Sequence, residues 1–83
     1  MKQETTMGAE WEKVHPHVVE FLKVDDWHRI KVYQVVATDE RLYVPQYYMA
    51  NRVVHWWHYE EGGDAWASYS LDAAIKKCRE EMT

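Results

Sequence analysis

The chain has 83 residues, 47% of them hydrophobic and 29% charged, with a single cysteine and a formal net charge of −4. This length gives one domain, this composition a globular rather than a disordered chain, and one thiol no internal disulfide. Fourteen acidic side chains against ten basic ones argue against a surface that neutralises a phosphate backbone, and no apolar run approaches the ~18 residues of a membrane span.

In chain order, residues 1–8 are polar and read as a flexible N-terminus, and residues 9–83 as a single α+β domain. Trp11, Val14, Val18, Phe21 and Leu22 follow one another at spacings that favour the apolar stripe of a helix. The spacing predicts an N-terminal helix over about 9–23, broken at His15-Pro16 because proline removes a hydrogen bond and crowds the preceding turn. A shorter helix over 16–24, with Trp11 folded over its end, is the other reading. Asp25-Asp26 links it to a strand over 30–37, rich in β-branched residues.

A polar turn at Thr38-Asp39-Glu40 leads to a second strand over 42–49, in which Pro45 cannot donate to a ladder and so points to an edge position or a bulge. The aromatic run Val53-Val54-His55-Trp56-Trp57-His58-Tyr59 is a third strand. Glu61-Gly62-Gly63-Asp64 is the clearest turn, since two glycines tolerate the positive φ of a tight hairpin. A short fourth strand over 65–69 follows. Ser70 caps a C-terminal helix, with Leu71, Ala74, Ile75, Cys78 and Met82 on one stripe and Asp72 suited to the helix dipole. The expected fold is thus a helix, an antiparallel meander of three to four strands, and a helix, with the helices on one face.

That helix-sheet-helix order resembles the double-stranded RNA-binding domain in outline. The resemblance implies nucleic-acid binding, but Leu71-Asp72-Ala73-Ala74 stands where that reading needs a basic cluster at the start of the second helix.

No catalytic or metal-binding pattern emerges. His15 and His17 diverge on a helix, His55 and His58 face opposite sides of a strand, and no cysteine pair exists, so no metal or cofactor is expected. Cys78 sits on the core stripe, Ser68 and Ser70 lie in a strand and at a cap rather than at a sharp elbow, and Gly62-Gly63 lacks a phosphate-loop context. The chain reads as non-enzymatic. One thiol and no signal-like segment point to the cytoplasm.

The aromatic residues carry the functional expectation. Placing Ile30, Val32, Val36, Leu42 and Val44 on the helix side leaves Tyr33, Tyr43, Tyr47 and Tyr69, with one of Trp56 and Trp57, on an open sheet face, and Tyr59 is a further contact candidate beside them. Five such rings half exposed would present on the order of 400 to 500 Å², the size of patch that marks contact sites. These residues make a small protein-binding module the leading reading: a homodimer through its sheet, or an inhibitor of phage or mobile-element type that docks on a host protein. The alternative is a single-stranded nucleic-acid binder that stacks bases on the sheet, which the charge disfavours.

Overall fold

The computed structural model describes residues 4–7, 17–35, 39–49 and 55–81. Its elements are β1 (Glu4–Met7), β2 (Val18–Asp25), β3 (His28–Gln34), β4 (Arg41–Tyr48), β5 (Trp56–His58), β6 (Glu60–Glu61), β7 (Asp64–Ser68) and α1 (Leu71–Glu81). The sheet runs in the order β1-β7-β4-β3-β2, all pairs antiparallel, with β5 paired to β4 and β6 to β7. Among the described residues it is an α+β fold with one helix, at the C-terminal end.

The expected N-terminal helix is corrected over the residues the structure describes. Val18–Asp25 is the outer strand β2, with Leu22 opposite Ile30 and Lys23 opposite Arg29; residues 9–16 lie outside the described residues. Val18, Val19 and Val24 lose side-chain freedom in a helix and pack well on a pleated surface. Leu22 and Val24 join the core while Phe21 and Lys23 project to the other side, so the alternation of a strand satisfies this segment. The outline resemblance to the RNA-binding domain rests on that helix, which the described residues do not show. Glu4–Met7, expected within a flexible N-terminus, pairs with β7 as β1.

A two-residue turn, Asp26-Trp27, joins β2 to β3. The Asp25 carboxylate accepts from the Trp27 N–H at 2.8 Å and meets His28 Nδ1 at 2.9 Å, so an aspartate side chain closes the turn in place of glycine. Between β3 and β4 the backbone N–H of Val35 donates to Glu40 O at 2.7 Å, and Asp39 adopts a φ of 60°, the left-handed conformation aspartate tolerates. This loop sets the register: Tyr33 faces Leu42, Val32 faces Tyr43, Ile30 faces Pro45.

That register corrects the expected division of faces. Ile30 and Val32 share a face with Tyr43 and Pro45, whereas Leu42 and Val44 share the opposite one with Tyr33. A shift of one residue in pairing exchanges the two faces of a strand, and the sequence pattern alone left that choice open. Each face carries a buried cluster. On one, Ile30, Val32 and Trp66 pack with Ala74 and Cys78 of α1; on the other, Tyr33, Val35, Leu42, Val44 and Ala67 form a second cluster.

Pro45 is fully buried inside the sheet rather than at an edge. On its far side it falls between Tyr43, which pairs with Ser68 of β7, and Gln46, which pairs with His58 of β5. The neighbour of β4 changes there from β7 to β5, so the missing N–H coincides with the break in that ladder. The Gly62-Gly63 turn is as expected, with φ of 60° and 89° between the paired Glu61 and Asp64. Ser70 Oγ accepts from the Ala73 N–H at 3.3 Å, the expected cap of α1.

Candidate functional site

The seven aromatic residues expected to form one contact surface are divided among three places. Tyr33 is core, only 4% exposed, and Tyr69 packs on the same cluster. Tyr43 and Tyr59 pack against the helix-side core, and Tyr47 leans on Tyr59 with ring centres 4.9 Å apart. Trp57 stands opposite Tyr47 on the helix side of the sheet and is 40% exposed. Trp56 alone of the seven belongs to the surface described next.

That surface lies on the outer face, at the end of the sheet where β2, β3, β4 and β5 run side by side. Arg29 projects from β3 between Phe21 of β2 and Trp56 of β5. Its guanidinium carbon is 4.1 Å from the centre of the Phe21 ring and 4.4 Å from that of Trp56. Arg29 Nε donates to Gln46 Oε1 at 2.7 Å, and Gln46 is itself buried. The stack continues through Tyr48, 5.1 Å from Trp56, to Trp27, 6.4 Å from Tyr48. Strand order lines these five side chains up because Arg29 is opposite Gln46, and Tyr48 opposite Trp56, in the registers of β3, β4 and β5.

The two ends of the stack are open to solvent, Phe21 at 49% and Trp27 at 54%, and Val18 and Val19 continue the apolar surface along β2. Trp27 is fixed at both backbone ends: its N–H donates to Asp25, and its carbonyl accepts from the Tyr48 N–H at 2.9 Å. A hollow of about 310 Å³ opens beside Arg29, Phe21 and Trp56 and is rimmed by Lys23, Asp25 and Asp26. Lys23 and Asp26 form an exposed ion pair at 3.2 Å.

Electrostatics sets this end of the sheet apart from a plain core. Burial lowers the pKa of Arg29 below the usual guanidinium range, yet the side chain stays charged, and among the described residues no carboxylate is paired with it. Stacking and a neutral amide hold the cation, leaving the edge formed by its terminal amino groups as the remaining donors. Burial raises the Asp25 carboxyl, but the hydrogen bonds from His28 and from the Trp27 N–H outweigh it and leave the pKa below the ordinary 3.8. On the helix side of the same strands burial pushes the Cys78 thiol up to about 11, helped by the negative charge of Asp25.

Sequence reasoning missed Phe21, Trp27, Arg29 and Tyr48. Phe21 was assigned to a helix core, and Tyr48 and Trp27 come together only through the register of three strands. The signal available was the strand-like composition of Val18–Asp25 followed by a two-residue turn. Among the described residues, no three His, Cys, Asp or Glu side chains gather closely enough to hold a metal ion, and no helix is long and apolar enough to cross a membrane. No family model matches the chain, and neither does any curated protein or solved structure.

Proposed function

We propose that the chain is a small, non-enzymatic protein-binding module that docks through the outer face of the β2-β3 hairpin. The observation that carries this reading is the five-membered stack Phe21-Arg29-Trp56-Tyr48-Trp27, whose two ends are about half exposed. Tryptophan, tyrosine and arginine are the residue types that dominate binding energy at interface centres. Here they are already ordered, so a partner would immobilise few rotamers on binding. Half-exposed Phe21 and Trp27, with Val18 and Val19, present on the order of 300 Å² of apolar surface, within the range of functional patches on monomers.

The partner this surface suits is a protein other than a second copy of the chain. β2 carries Lys23 and two irregularities in its pairing with β3, at Val18/Glu20 and Lys23/Asp25, and charges and bulges on an outer strand discourage edge-to-edge self-pairing. The test is capture from a lysate of the cells that naturally express the chain, with nuclease, by the wild type and by the doubly substituted Phe21→Ser/Trp27→Ser variant. A stoichiometric protein bound by the wild type and lost by a folded variant supports the reading. Equal capture by both, a self-associated dimer alone, or capture that vanishes with nuclease would each defeat it.

A further inference from the structure

A second aromatic hollow, of about 460 Å³, opens on the helix side of the sheet and is lined by Tyr47, Trp57, His58, Tyr59 and Glu60. Its aromatic wall is built by register: Tyr47 of β4 stands opposite Trp57 of β5, and Tyr59 follows two residues later on the same side. The rings of Tyr47 and Tyr59 lie 4.9 Å apart and tilted by 37°, and His55 packs on Trp57 at 4.4 Å. Elsewhere the protein covers aromatic faces with its own cations: Arg29 on Phe21 and Trp56, Lys31 on Tyr33 at 5.1 Å, Lys77 on Trp66 at 5.5 Å. Among the described residues no lysine or arginine is stacked on Tyr47 or Trp57, and the exposed carboxylate of Glu60 is paired with no cation.

We infer that this hollow is a binding site for a quaternary ammonium group. An ammonium carrying methyl groups in place of N–H donors needs no hydrogen-bond acceptors, gains from the negative faces of aromatic rings, and is drawn in by a single carboxylate at the rim. A primary ammonium is the more strongly hydrated ion, and with Glu60 as the one carboxylate in the lining it loses more of its water shell than a methylated one on entering an aromatic wall. The net charge of −4 adds attraction for a cation at longer range. The site is separate from the hairpin stack: it involves the opposite side of β4 and β5, so the two can be lost independently.

Titration of the isotope-labelled full chain with tetramethylammonium chloride at constant ionic strength, followed through the indole N–H signals by NMR, tests the site. The expected result is a saturable shift of the Trp57 signal, with those of Trp27 and Trp66 unmoved. Neopentyl alcohol, an uncharged molecule of nearly the same shape, should produce no such shift. Glu60→Gln should weaken binding roughly threefold, and Tyr47→Leu by a similar or larger factor, with the remaining spectrum unchanged as the check on folding. Choline and a trimethyl-lysine peptide, run in parallel, separate the two sources of the group: tighter binding of the peptide assigns the site to a modified protein, tighter binding of choline to a small solute. No saturable shift at Trp57, or equal shifts from the neutral alcohol, would overturn the assignment.

Discussion

Arg29 lies over the Trp56 ring, guanidinium carbon to ring centre 4.4 Å, with no carboxylate partner among the described residues and a buried glutamine holding its Nε. The contact joins β3 to β5 across β4 and orders the aromatic end of the sheet. Lysine cannot reproduce a planar ion stacked between two rings with one nitrogen bonded to Gln46. Arg29→Lys is therefore expected to destabilise the fold by about 1 kcal/mol, and a double-mutant cycle between Arg29 and Trp56 to give a coupling of ~0.5 to 2 kcal/mol in urea titrations.

The three tryptophans of the chain's second half should respond very differently to truncation. Trp66 packs between the sheet and α1 at 7% exposure, and Trp66→Ala is expected to cost ~3 to 5 kcal/mol. Trp57→Ala, at 40% exposure, should cost less, ~1 to 2 kcal/mol, because a large part of its surface is already in water. Trp56→Ala falls between, since it takes one wall from Arg29. Denaturant midpoints of the three variants give this order directly.

Acid stability should report Asp25. Its pKa is lower in the folded protein than in the unfolded chain, so the stabilisation is complete above the unfolded value of about 4 and is lost as pH falls through the folded value. Asp25→Asn removes this dependence. The wild type should therefore lose stability more steeply than the variant below pH ~4, and the two curves should run parallel above it.

Cys78 should be inert in the native protein. A buried thiol with a pKa of about 11 is ionised to roughly one part in a thousand at pH 8, and α1 holds it against the core of the sheet. Alkylation at pH 8 is expected to be very slow until denaturant unfolds the chain, whereupon one equivalent of reagent is consumed.

The parts of the fold legible in the sequence were those written in local chemistry. Gly62-Gly63 announced a turn because both positions carry positive φ, and Ser70 with the stripe through Ala74 and Cys78 announced the capped helix. The segment Val18–Asp25 was ambiguous, since apolar residues at 18, 19, 21, 22 and 24 fit neither period cleanly; its valines were the better guide. The faces of the sheet could not be read at all. They depend on whether Val32 meets Leu42 or Tyr43, and that is decided by a loop in which Asp39 takes a left-handed conformation and Val35 bonds to Glu40. Because the register was illegible, so was the stack, whose members come from four strands and a turn.

The most direct test of the docking face is site-specific photo-crosslinking. A photoreactive phenylalanine is placed at position 27, on the exposed end of the stack, or at position 72, on the exposed face of α1, and each protein is irradiated in the natural lysate after nuclease treatment. Position 27 should form one dominant heterologous protein adduct that disappears when Phe21→Ser is added, and position 72 should form none. An adduct at position 72 in place of position 27, or one at position 27 that survives Phe21→Ser, would contradict docking through the hairpin.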